Sequence, residues 1–565
     1  MKMRGAQAIV NSLIDEDVDT IFGYPGGAIM PTYDALFDHQ EKLRHVLVRH
    51  EQAAIHGAVG YARATAKTGV VIATSGPGAT NLITGITDAL IDSIPVVCIT
   101  GQIFSDLLGS DAFQEADIIG MTVTSTKWNY QITNPDEIPY IFKKAFEIAR
   151  SGRPGPVLID ITKDAQVNLT EYKKAQANQQ AKWLKKPLMN MNSIHKASEL
   201  LNQAERPIIL AGHGVIIAKA EKELLQLAEK GDIPIACTLL GLSSVASTHR
   251  LYKGMLGMHG NYAANVLSNQ ADVVLAVGMR FDDRVTGKLS DYLPNAKVIH
   301  IEIDSAEIDK NIKADIGIHA DAKDALSALI PYLKCNVHQN WHDEFKHYYQ
   351  KELACVIKHE TNPNNGPIKM AEVIDLVSRK THGNALIVSD VGQHQMIAAR
   401  YYQFADFNLH ITSGGLGTMG FALPAAIGAK VGLGNQRDVI AIAGDGGFQM
   451  NIQELAVLNQ EGIHLKMIIL NNSYLGMVRQ WQELFFEKRY SFTEISSPDF
   501  IKVAQAYGIE GKLVKSRDNL SQSLDEFLNY QGSYLLEVVV EQQENVFPMV
   551  PAGASISDTQ LSVGG

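Results

Sequence analysis

Cysteine is nearly missing from this chain: Cys98, Cys237, Cys335 and Cys355 are the only four among 565 residues. None belongs to a CxxC pair, so neither a disulfide framework nor a zinc site is expected, and the usage fits a reducing cytoplasm. Long hydrophobic runs are missing as well. No stretch approaches the roughly 18 uncharged apolar residues of a membrane span, so no membrane partner is expected. The opening MKMRGAQAIVNSLIDEDVDTIFGYPGG reads as an amphipathic helix leading to a strand, without the form of a signal peptide. Positive charge is in deficit, with 50 Lys and Arg against 61 Asp and Glu and a net charge of −11. No basic cluster interleaved with aromatics offsets this, which argues against nucleic acid and leaves small molecules as partners.

What is present is material for ordinary cores. Hydrophobic residues make up 46% and charged ones 20%, and the length suggests about three domains. Apolar runs of strand length alternate with helical periodicity, the pattern of parallel α/β sheets, here three doubly wound domains. HVLVRH, GVVIATSG, IPVVCITG and PGPVLIDI are strands of a first domain, 1–165. A Gln, Ala and Lys-rich segment without apolar period, 166–187, reads as a linker. RPIILAGHG, IPIACTLLG, ADVVLAVGMRFDD and AKVIHIEID belong to a second domain, 188–340. A polar, aromatic-bearing linker, 341–367, leads to a third α/β run, 368–545, and a small polar tail, 546–565, is expected to be mobile. GVVIATSGPGATNLITG and DVIAIAGDGGFQMNIQE echo each other as strand, glycine turn and helix, suggesting two domains of one fold around a different one.

The turn AIAGDGGFQMN carries a carboxylate where an anion would be welcome. Gly444, Gly446 and Gly447 allow close approach of backbone amides at a helix start, which suits a diphosphate, but Asp445 would repel one. A divalent cation between them removes the conflict, and magnesium seeks about six oxygen ligands. After the next strand, HLKMIIL, the sequence NNSYLGM offers Asn472 as a second oxygen donor. Taken singly, Asp445 is a helix cap and Asn471–Asn472 a turn. Their joint spacing points to metal and diphosphate.

GDG followed at this distance by NN resembles the thiamine diphosphate signature. Over essentially its whole length the chain is similar to the acetohydroxyacid synthase (acetolactate synthase) large catalytic subunits of the biosynthetic type. That resemblance implies a pyrimidine-binding, a central and a diphosphate-binding domain. It implies magnesium held by Asp445, Asn472 and the Tyr474 carbonyl, with Gly392, Gln393, His394, Gly417, Gly444, Gly446, Gly447, Gly476 and Met477 around the cofactor and Met419 bending it. Thiamine chemistry needs an acid on the aminopyrimidine ring, and Glu51, at the end of HVLVRH, matches the catalytic glutamate of the family. The alternative is that Glu51 merely caps a helix dipole. Pro25, Gly26 and Gly27 match a loop at the reacting centre, Phe113, Gln114 and Lys163 the substrate side, and Met258, Asp283 and Arg284 the pocket, where an arginine suits a 2-keto acid carboxylate. Trp481 matches the residue that favours 2-ketobutyrate over pyruvate as acceptor.

The implied reaction decarboxylates pyruvate and ligates the two-carbon unit to a second pyruvate, giving 2-acetolactate, or to 2-ketobutyrate, giving 2-aceto-2-hydroxybutyrate, on the way to valine, leucine and isoleucine. The resemblance also implies a site shared between two subunits of a homodimer or a dimer of dimers, and a small regulatory subunit. AGHG is no GxGxxG fingerprint, so a dinucleotide site is not legible from spacing. The family nevertheless places FAD at positions matching Arg153, Gly212, Gly214, Thr238, Leu239, Met258, His259, Gly278, Arg280, Glu302, Ile303, Asp321 and Ala322. A pyruvate oxidase would share the fold, the thiamine and the flavin; RFDDR and MVRQWQ speak against it. A Rossmann dehydrogenase fails for want of its fingerprint, and a non-catalytic role would require a broken site.

Overall fold

The protein is described here by a computed structural model, which covers residues 2–176, 181, 183 and 185–563; positions 177–180, 182 and 184 of the expected first linker and 564–565 of the tail lie outside the described residues. Three six-stranded parallel sheets with helices on their faces form the molecule. In the first, the strands run edge to edge as Arg44–Leu47, Thr20–Gly23, Gly69–Ala73, Val96–Gln102, Val157–Thr162 and Trp128–Ile132. In the third they run as His410–Thr412, Leu386–Ser389, Val439–Gly444, Lys466–Asn471, Tyr534–Val539 and Glu510–Val514. Numbered within each sheet, both have the order 2-1-3-4-6-5. The middle sheet runs as Tyr252–Met255, Ile235–Cys237, Pro207–Ala211, Val273–Val277, Lys297–Glu302 and Ile316–His319, the order 3-2-1-4-5-6 of dinucleotide-binding sheets.

Strands such as VVLAV and VIAIAG are buried at every position, which explains continuous apolar runs instead of alternation. The first and third sheets are joined through two helices, Glu51–Thr65 and Ala422–Leu433. Their contact requires glycine: a Cβ on Gly60 would stand 1.9 Å from the Ala425 carbonyl oxygen, and one on Gly428 would stand 1.8 Å from that of Gly57. Backbone therefore meets backbone, and Glu51 begins a helix with little freedom to shift.

Both expected linkers carry structure. Leu169–Glu171 pairs antiparallel with Lys2–Arg4, stitching the chain start to the exit of its own domain. The aromatic stretch forms the helix Gln339–Glu352, where Trp341 is buried and donates from Nε1 to the Pro207 carbonyl at 2.9 Å. An apolar face hidden within a polar composition made it look like a connection. The described part of the tail is docked instead of free: the Val550 amide donates to the Met258 carbonyl at 2.8 Å, the Lys288 amide to the Ala554 carbonyl at 3.0 Å, and Asn269 Nδ2 to Ser557 Oγ at 3.0 Å. Small polar residues read as mobile because their partners are distant in sequence.

Candidate functional site

Three neighbouring strands of the third sheet end on one side, where open α/β sheets place ligands. Leu386–Ser389 leads through Asp390 and Gly392 into the helix Gln393–Tyr401. Val439–Gly444 leads directly into Asp445–Met450, and Lys466–Asn471 into Asn472 and the helix Gly476–Phe485. Gly392 has φ +150 and faces the His394 ring, and a Cβ on Gly447 would stand 2.7 Å from Asp390 Oδ1, so the cradle is lined by backbone.

Within it the Asp445 side chain is almost wholly buried; Oδ2 accepts from Ser497 Oγ at 3.0 Å and Oδ1 has no partner. Burial pushes this carboxyl up to about 6. A buried carboxylate oxygen without a donor is costly. Asn472 lies beside it at the next strand end; its Oδ1 accepts from the Tyr474 amide at 3.1 Å, and its Nδ2 donates to Gln393 Oε1 at 3.3 Å. This oxygen set suits a hard cation. His394, also buried, has an unpartnered Nε2, and burial pushes the imidazole down to about 3, so it is neutral and free to donate one hydrogen bond.

A cavity of about 1320 Å³ opens from this cradle into the central domain, more than the roughly 300–1,000 Å³ of a site for one small ligand. Gly392, Gln393, His394, Gly417, Met419, Gly444, Gly446, Gly447, Asn472, Tyr474, Gly476 and Met477 line one end. Arg153, Gly214, Thr238, Leu239, Gly278, Arg280, Glu302, Ile303, Asp321 and Ala322 line the other, and Met258, His259, Asp283, Arg284 and Trp481 also face the cavity. Asp445 lies just behind the lining, as does Gly212, whose Cβ would stand 2.2 Å from the Gly278 oxygen. Gly212, Gly214 and Gly278 thus bring two strand ends into backbone contact without a GxGxxG spacing, and the Gly214 amide donates to the Gly278 carbonyl at 3.0 Å. Burial pushes the Glu302 carboxyl up to about 7, and its Oε1 accepts from the Ile303 and Asp304 amides at 2.8 and 3.2 Å. Asp321 caps the helix Ala322–Leu329. The Arg284 guanidinium is exposed, 3.7 Å from Asp283 and 3.5 Å from the Met258 sulfur.

Glu51, Pro25, Gly26, Gly27, Phe113, Gln114 and Lys163 do not line this cavity; they gather in the first domain. Glu51 opens its helix after His50, whose Nδ1 caps the Gln52 amide, and its Oε2 accepts from Asn81 Nδ2 at 2.9 Å. Thr74 meets Gly26 at 2.5 Å from its would-be Cβ and accepts from the Ala28 amide at 3.3 Å. Gly76, with φ +59, packs on the Gln114 backbone. Lys163 Nζ lies 5.7 Å from the Phe104 ring centre, and Phe113 is 87% exposed.

Sequence reading missed Asn81, Thr74 and Asp390. Asn81 and Thr74 stand within the segment ATSGPGATN of the first-domain glycine turn, the one signal that marked them. Asp390 gave none beyond its place after a strand. It accepts from the amides of Val391, Gly420 and Ala422 at 2.8, 3.0 and 3.0 Å, tying two cradle loops together. Among the described residues no cluster of three or more His, Cys, Asp or Glu could hold a metal.

Comparison with known proteins matches three family descriptions in order: the thiamine pyrophosphate enzyme N-terminal TPP binding domain at residues 3–121, the central domain at 194–329 and the C-terminal TPP binding domain at 390–538. The chain is 44% identical over 560 residues to the acetolactate synthase isozyme 2 large subunit of Escherichia coli, covering 98% of this chain and 99% of that one. It is 45% identical over 571 residues to a probable acetolactate synthase large subunit of Methanocaldococcus jannaschii, covering 98% and 95%. It is 43% identical over 562 residues to the acetolactate synthase large subunit of Lactococcus lactis, covering 97% and 94%. With this cradle, this domain order and this identity over the full length, the chain belongs to the acetolactate synthase large subunits among the thiamine diphosphate enzymes.

Proposed function

We infer that the protein is an acetolactate synthase: it decarboxylates pyruvate and joins the two-carbon unit to a second pyruvate, or to 2-ketobutyrate, as a step of branched-chain amino acid biosynthesis. The observation that carries this reading is the unpartnered, buried Asp445 oxygen in a backbone-lined cradle at three adjacent strand ends. Such a group fits a magnesium ion, which Asp445, Asn472 and the Tyr474 carbonyl would hold, with a diphosphate received by the 392–394 and 444–447 segments. Thiamine diphosphate supplies a carbon nucleophile that accepts the electrons released when pyruvate loses carbon dioxide.

The protein's own part is positional and electrostatic. Glu51, held by Asn81, is the acid that addresses the pyrimidine ring. Because Glu51 does not line the cavity that holds its own chain's cradle, the reading takes the protein to be a homodimer in which each chain completes the other's site. Arg284 receives the keto acid carboxylate, the Met258 and Trp481 side chains shape the apolar wall, and Trp481 sets the acceptor. The dinucleotide strand order of the central sheet and its glycine contacts fit FAD bound along Arg153, Gly214, Gly278 and Glu302. The "large subunit" in the relatives' names supports a small regulatory partner.

The test supplies the purified chain with pyruvate, thiamine diphosphate and magnesium, with and without FAD. Acetolactate that requires FAD and collapses in Glu51→Gln supports the reading. Acetyl phosphate or acetate with oxygen uptake would make the protein an oxidase.

A further inference from the structure

The turn that delivers Glu51 is held from outside its own domain. Residues 48–50 connect the strand Arg44–Leu47 to the helix Glu51–Thr65. Their main chain is met by Glu454 of the third domain, at the end of the short turn Ile452–Glu454 that follows the Asp445–Met450 helix. The Arg49 amide donates to both Glu454 carboxylate oxygens, each at 3.1 Å. The Arg49 guanidinium turns elsewhere, to the Leu47 carbonyl at 2.9 Å and Gln460 Oε1 at 2.6 Å. Glu454 is fully buried, and toward the first domain its carboxyl group accepts from the main chain.

On its other side Glu454 is tied to the diphosphate cradle. Gln453 Nε2 reaches Glu454 Oε1 at 3.5 Å and Asn451 Oδ1 at 3.1 Å, and Asn451 Nδ2 donates to the Gly420 carbonyl at 2.7 Å. Gly420 follows Met419, which lines the cavity. One polar row therefore runs from the loop bearing Met419 to the residue two places before Glu51. The opposite connection is built from the first domain: Asp92 accepts from the Gly414 and Gly415 amides at 2.9 and 2.8 Å, fixing the start of the same loop.

Burial pushes the Glu454 carboxyl up to about 7 against the opposing pull of the Arg49 amide and charge, and a buried carboxyl costs more than an apolar contact would, so stability alone does not account for Glu454. We propose that Glu454 is a positioning residue for Glu51, fixing the 48–51 turn so that the Glu51 carboxyl is presented at the place its partner group requires. The proposal rests on Glu51 being the acid that addresses the pyrimidine. Glu454 does not line the cavity.

The experiment uses the full chain loaded with thiamine diphosphate and magnesium and reads deuterium exchange at the thiazolium carbon, alongside kcat and KM for pyruvate. Amide exchange of residues 48–52 is read in the cofactor-free protein. Glu454→Ala should slow thiazolium exchange and kcat by about 10- to 100-fold, the scale of a small misplacement, with KM held within about twofold. Amide protection at 49–52 should fall. Glu454→Gln, which keeps one acceptor oxygen for the Arg49 amide, should recover most of the loss. Glu454→Asp keeps the charge but shortens the reach, so it should behave like Glu454→Ala and replaces it if that variant is insoluble. Thiazolium exchange near the wild-type rate in Glu454→Ala or Glu454→Asp, with Glu51→Gln slowed, would overturn the proposal alone. Unchanged exchange in Glu51→Gln would remove the reading of Glu51, and the proposal with it.

Discussion

The first and third sheets have the same strand order, yet the same exits from them carry opposite chemistry. After the second strand in chain order, the first domain presents Glu51 and the third presents the glycine loop 413–417 and Met419. After the third strand, the first domain presents Gly76, Gly78 and Asn81 around that acid, while the third presents Asp445 with its unpartnered oxygen and the glycine cradle. Shared topology decides where loops emerge, and the side chains on them decide what the loops do. The central sheet makes the contrast sharper, because its different order, 3-2-1-4-5-6, comes with glycines that bring strand ends together.

That comparison breaks first at its two acids. Glu51→Gln should lower kcat by about 10²- to 10⁴-fold, the range of general acid–base catalysis, while magnesium affinity is kept. A variant within threefold of wild type would leave Glu51 a mere helix cap. Asp445→Asn should do the reverse, weakening half-saturation by magnesium by at least about 100-fold, as a lost ligand should cost no less than a lost outer-shell partner. Titration of cofactor-dependent activity with magnesium checks it.

Between these two outcomes the hydrogen bond to Glu51 can be removed. Asn81→Ala should reduce kcat by about 10- to 150-fold, the equivalent of roughly 1.5–3 kcal/mol for a hydrogen bond to a charged group. Trp481→Leu should have the smaller effect of shifting the 2-aceto-2-hydroxybutyrate to 2-acetolactate ratio, measured in mixed substrate, toward acetolactate by about 10-fold, the low end of the roughly 10- to 200-fold range of apolar pocket contacts.

The smallest effect concerns stability. Burial raises the Asp445 carboxyl to about 6, above its unfolded value near 4. Its protonated form is thus favoured in the fold, and the stability it contributes is full below about pH 4 and lost as pH rises through about 6. Metal-free Asp445→Asn should therefore melt at the wild-type temperature near pH 4 and a few degrees higher above pH 6, by about 1–3 kcal/mol at most. An equal or lower melting point at pH 7 would mean that Ser497 already satisfies the carboxylate.

Much of the cradle was legible because its residues are neighbours in sequence. Gly444 to Gly447 and Asn472 sit at successive strand ends, and period and spacing alone pointed to a site for a cation and a diphosphate. The central site was less legible: Gly212, Gly214 and Gly278 form no local fingerprint, since the close approach is between two strands rather than along one turn. Asp390 and Glu454 were silent for the same reason, each making its decisive hydrogen bonds to main chain remote in sequence. The docking of 546–563 and the burial of Trp341 likewise depend on surfaces that exist only after the sheets have formed.

The sequence by itself determined three α/β domains, the positions of the strand ends and the residue types able to hold a cation and a diphosphate, because apolar period and glycine turns act over a few residues. Only the tertiary structure decided that the cradle and the central site share one cavity, that Glu51 stands apart from both, and that its turn is held by Glu454. Those facts depend on distances between residues hundreds of positions apart, which close packing of the helices Glu51–Thr65 and Ala422–Leu433 sets and local pattern does not encode.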